Sequence, residues 1–61
     1  MKIEFKVLAT RNGQVIFKTT LITDKRGIPS DAMEAIGRQY APCDLKFDCI
    51  SEGWYAERRF Y

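Results

Sequence analysis

Apolar side chains fall on every second residue from Ile3 to Ala9, and that alternation constrains the chain more than any other feature. Ile3, Phe5, Val7 and Ala9 share one face, while Lys2, Glu4, Lys6 and Thr10 share the other. Only Leu8 breaks the pattern. A period of two over this length is the signature of a half-buried β-strand, so the chain needs a sheet with one face against a core.

Arg11-Asn12-Gly13-Gln14 then reads as a hairpin. The following strand, residues 14–23, carries Val15, Phe17 and Leu21 on one face. A two-residue Asn-Gly turn would pair Ala9 with Ile16 and Val7 with Lys18, placing the two apolar faces on opposite sides. A three-residue loop with Gly13 as a bulge residue pairs Ala9 with Val15, Val7 with Phe17 and Ile3 with Leu21. Because a one-residue slip turns over every side chain, the sequence favours the three-residue loop. That register sets Lys6 opposite Lys18 and puts Leu8, Ile16 and Ile22 on the second face.

Residues 24–29 read as a loop and Ser30 as the N-cap of a helix. Met33, Ile36 and Tyr40 form its apolar stripe with Ala32. Gly37 disfavours the helix locally and suits a close approach of helix to sheet. Pro42 ends the helix near Tyr40 or Ala41. Leu45, Phe47 and Cys49 alternate with Lys46, Asp48 and Ile50 in a third strand, and Ser51-Glu52-Gly53 is a turn. Residues 54–61 read as a fourth strand, although their pattern also allows a terminal helix. The expected fold is α+β: one domain over residues 1–61, β-β-α-β-β, with an antiparallel sheet in the order 2-1-3-4 and one helix on one face.

The 61 residues leave room for a single small core. With ten basic and eight acidic residues the net charge is +2, which demands neither a nucleic acid nor a membrane. No apolar run approaches the ~20 residues of a membrane span, and the alternating start is no signal peptide, so a soluble cytoplasmic protein is expected. Along one extended strand Cys43 and Cys49 would lie about 20 Å apart, whereas a disulfide needs Cα atoms within ~7 Å. Reduced structural thiols follow.

Catalytic chemistry finds little to work with. The chain has no histidine, so it lacks Cys-His and Ser-His pairs, and two cysteines alone make a poor zinc site. Asp44 and Asp48 on one strand face are about 13 Å apart, wider than the roughly 5–9.5 Å of glycosidase carboxylates. The glycines are scattered and mark turns rather than a phosphate loop. No enzyme, cofactor or metal is expected.

The features that suggest binding are the C-terminal segment and the uncovered sheet face. Trp54, Tyr55, Arg58 and Arg59 belong to residue types enriched at protein hot spots, and also at stacking platforms for single-stranded nucleic acid. The plainer alternative is that Trp54 or Phe60 completes the core while the arginines stay solvated. On the second sheet face, Leu8 and Ile16 with Lys6 and Lys18 form a candidate contact surface, against the alternative of scattered exposed aliphatics. Lys25 and Arg26 in the loop would add a basic patch with Lys18. Three partners fit: a protein, a nucleic acid held through lysines, arginines and an aromatic, or a second copy pairing by its open face or an edge strand.

The layout of two strands, a helix ending in Gln39-Tyr40-Ala41-Pro42 and a further strand resembles the small RNA-polymerase inhibitors of T-odd bacteriophages. The likeness spans Ala9 to Ile50 and rests on Ala32, Gln39, Tyr40, Pro42 and the strand order. The aromatic, arginine-rich C-terminal segment departs from that family, so no residue role carries over. The resemblance implies a class of compact proteins that act by gripping a host protein. The expectation is therefore a non-enzymatic protein-binding module, an inhibitor or adaptor of phage or mobile-element type.

Overall fold

The computed structural model describes residues 1–61. Its elements follow the chain as β1 (Ile3–Arg11), β2 (Gln14–Thr23), α1 (Ser30–Tyr40), β3 (Cys43–Cys49) and β4 (Trp54–Phe60). All neighbouring strands are antiparallel, in the order β2-β1-β3-β4, with the helix on one face. The α+β architecture read from the sequence stands, and residues 54–60 form a strand rather than a helix.

The hairpin corrects the expected register. Arg11 pairs with Gln14, so the loop is the two residues Asn12 and Gly13. Both have positive φ, 53° and 78°, as the favoured hairpin turn requires, and the Asn-Gly dipeptide is the pair that adopts it most readily. The apolar faces nonetheless coincide, because a bulge at Ile16 shifts the pairing from Thr10–Val15 to Ala9–Phe17. Val7 then meets Thr19 and Ile3 meets Thr23, and Lys6 lies opposite Thr20, not Lys18. Val15, placed with the apolar set in the sequence reading, is exposed opposite Thr10. Ile16, unpaired at the bulge, packs half-buried against the core and also borders a shallow concavity with Leu8, Val15 and Lys18.

The buried set is the alternate residues of the two central strands: Ile3, Phe5, Val7 and Ala9 from β1, with Cys43, Leu45, Phe47 and Cys49 from β3. Both cysteines are free thiols in this layer, at opposite ends of β3. Phe5 sits at its centre, with ring centroids 6.0 Å from Phe47 and 5.6 Å from Trp54. Phe17 stacks on Tyr40 at 4.5 Å, joining the outer strand β2 to the end of the helix.

The helix starts one residue earlier than expected: Pro29 is its N-cap, Ser30 is its first residue, and no side chain caps it. Its inner face is Met33 and Gly37, flanked by Ala32, Ile36 and Tyr40. At Gly37 the helix lies against the Phe60 ring so closely that a Cβ there would overlap it. Ala41 before Pro42 is extended, which ends the helix. The exposed end carbonyls gain a partner from a distant strand: the Arg11 guanidinium donates to Tyr40 O and Pro42 O, each at 2.9 Å. A cation at a helix C-terminus is also favoured by the helix dipole.

Candidate functional site

The helix covers one side of the sheet and leaves the other bare. Cross-strand partners share a face, so the registers define the open surface row by row. One row is Thr20, Lys6, Asp48 and Tyr55; the next is Lys18, Leu8, Lys46 and Glu57; a third is Val15, Thr10, Asp44 and Arg59. Ile22 and Glu4 continue it at one end. Lys6, Lys18 and Lys46 surround half-buried Leu8 and, with Thr20 and Asp48, line a shallow concavity.

The charges on this face balance. Lys6, Lys18, Lys46 and Arg59 stand with Glu4, Asp44, Asp48 and Glu57. Arg59 and Asp44 neutralise one another at 2.7 Å, and the Asp44 carboxylate raises the Arg59 guanidinium above its ordinary value. The three lysines form no ion pair. The Lys46 ammonium instead lies 4.6 Å from the Tyr55 ring centroid, a cation–π contact on an otherwise exposed aromatic.

The residues singled out from the sequence divide between the two sides. Leu8, Lys6, Lys18, Tyr55 and Arg59 come together on the open face. Trp54 and Arg58 point to the helix side, because their register partners Cys49 and Leu45 are buried there. Trp54 is half-buried, edge-on to Phe5, with its Nε1 donating to Glu52 at 3.0 Å. Arg58 donates to Glu34 at 2.8 Å and lies over the Phe60 ring at 4.7 Å. The Lys25, Arg26 and Lys18 patch does not assemble: Arg26 is paired with Glu52 at 3.0 Å, and Lys18 lies five residues before the end of β2, about 17 Å back along it. Lys46, Asp48 and Glu57 belong to the open face and were not singled out. Their signal was the alternation of β3 with Leu45, Phe47 and Cys49, extended across to β4.

The helix side carries its own ionic network. Hydrogen bonds from Arg38, then Arg58, hold the Glu34 carboxyl below the usual carboxylate range. The Trp54 indole, then Arg26, does the same for Glu52. A carboxyl whose folded value is depressed stabilises the fold fully above its unfolded value, and loses that contribution as pH falls through the folded value. The thermal midpoint is therefore expected to fall on acidification through the lower carboxylate range, and Glu34→Gln to flatten that limb in a pH series of melts.

No helix is long and apolar enough to cross a membrane, and no group of three or more metal-ligating side chains converges. Comparison of the chain with protein-family models, with curated proteins and with solved structures gives no match in any of the three.

Proposed function

We propose that this chain is a non-enzymatic protein-binding module, of the inhibitor or adaptor kind, that docks its partner on the open sheet face. The observation that carries the reading is the make-up of that face. A half-buried leucine sits among three lysines that have no ion-pair partner, and an exposed tyrosine stands beside them. Such a mixture of apolar centre and charged surround suits a protein surface.

The charge balance favours a protein over a nucleic acid. Strong phosphate binding needs a run of cations free of nearby anions, because each neutralised phosphate releases counterions. Here four carboxylates share the face with the four cations, so a continuous phosphate track would cross Asp48 or Glu57. Lys46 also covers the Tyr55 ring, which a base stacking beside the three lysines would need.

The test is capture by the immobilised chain from lysate of cells that express it. The wild type is expected to retain a protein; Leu8→Asp with Lys18→Glu is expected to lose it, and Arg38→Glu, on the outer side of the helix, to keep it. A folded wild type that retains nothing, or retention insensitive to the sheet-face changes, overturns the reading. Tight binding of oligothymidine that weakens steeply with salt would point to nucleic acid instead.

A further inference from the structure

The open face has a further property: four of its charges, apart from Glu4, Lys46 and the Arg59–Asp44 pair, are sorted across the sheet. Lys18 lies on the outer strand β2 and Lys6 on its neighbour β1, while Asp48 lies on β3 and Glu57 on the outer strand β4. In the row order these are matched, with Lys6 level with Asp48 and Lys18 level with Glu57. A partner complementary to these four must carry acids opposite Lys6 and Lys18 and bases opposite Asp48 and Glu57, at the same heights along the strands.

A second copy of this chain meets that requirement. A two-fold axis parallel to the strands, running between β1 and β3, lays β2 of one copy over β4 of the other and β1 over β3. Lys6 then faces Asp48 of the second copy and Lys18 faces Glu57 of the second copy, and symmetry repeats both pairs. Leu8 comes under the aliphatic stem of Lys46, and Thr20 meets Tyr55. An axis across the strands does less: it stacks β2 on β2, and Lys18 and Glu57 lose their opposite charges. Stacked sheets pack with their strands within about 30° of parallel, which keeps the matched rows in reach.

We infer that the open face binds a second copy of this chain face to face, through reciprocal Lys6–Asp48 and Lys18–Glu57 pairs about a closed Leu8–Lys46 centre. This rests on the protein-binding reading of the same face and names its occupant. The molecule measures 34 by 19 by 15 Å. A face of that size buries roughly 1,200 Å² over two copies, the lower end for a specific interface, so the dimer is weak and depends on concentration and salt.

Sedimentation from about 10 µM to about 1 mM tests it. The wild type is expected to pass from monomer to dimer. Lys6→Glu with Lys18→Glu should weaken dimerisation roughly a hundredfold, as should Asp48→Lys with Glu57→Lys, and an equimolar mixture of the two variants should restore it as a heterodimer. A zero-length carbodiimide crosslink gives a second readout on the unmodified chain. Within one copy Lys18 and Glu57 are three strand spacings apart, about 14 Å, so a Lys18–Glu57 crosslink arises only between copies. A wild type that stays monomeric throughout, or a mixture that fails to associate while each variant is folded, overturns the inference. A monomer that still captures a foreign protein by this face leaves the binding function standing, whereas loss of both removes the two together.

Discussion

Gly37→Ala is expected to destabilise the fold by about 2 kcal/mol, although alanine is the better helix former by about 1 kcal/mol. The two effects have opposite signs, and the contact at Phe60 decides between them. The missing Cβ at Gly37 is where the helix meets the Phe60 ring, and an added methyl would overlap three ring carbons. Phe60 cannot yield easily: it is buried, and Arg58 lies over its face. The helix would have to lift from β4 and uncover Met33 and Cys43. Urea denaturation measures the loss, and repeating it in a Phe60→Leu background tests the cause. The cost of the alanine should shrink there, since the two positions are coupled by direct contact. A stabilised Gly37→Ala would mean that helix propensity wins and that the close approach contributes little.

Phe5→Ala should have the largest effect of any single substitution, about 3–5 kcal/mol. A chain of this length holds roughly 3–9 kcal/mol in all, so the variant is expected to be largely unfolded. Phe5 is fully buried on the central strand and touches both Phe47 and Trp54, so its removal opens a cavity that neither rigid neighbour can fill. The Trp54 emission should move to the red and the cooperative melt should vanish. Phe5→Leu, which keeps most of the volume, should cost about 1–1.5 kcal/mol and keep the melt.

How much of this was legible in the residues depends on how many constraints bear on each element. The alternation of β1 and β3 left one arrangement, because both are central strands with one face buried throughout. The hairpin was harder. Asn12-Gly13 asked for a two-residue turn and the apolar faces asked for a different register. Neither constraint yields to the other, since the bulge at Ile16 satisfies both. A bulge has no marker in a string of apolar residues such as Val15-Ile16-Phe17. Its position emerges only when turn geometry and face matching are enforced together. The same step brings Val15 onto the open face and leaves Ile16 at the bulge, between the core and Leu8.

The site was half legible for a related reason. Lys6, Leu8 and Lys18 follow from the first hairpin, whereas Lys46, Asp48 and Glu57 need the pairing of β3 and β4 with it, which depends on long-range registers. Trp54 and Arg58 looked like binding residues by type alone. Their strand parity, set by the pairings Trp54–Cys49 and Arg58–Leu45, turns them toward the helix. There Trp54 closes the core, and Arg58 joins Glu34 on the helix to β4.

The central claim is that the uncovered sheet face, and not the helix, meets the partner. A photo-crosslinking amino acid placed singly at Thr20, at Lys46 and at the exposed helix position Ala35 tests it most directly. Crosslinked protein is expected from Thr20 and Lys46 and none from Ala35, whether the product is a foreign chain or a second copy. Efficient crosslinking from Ala35 with silence at Thr20 and Lys46 would contradict the account.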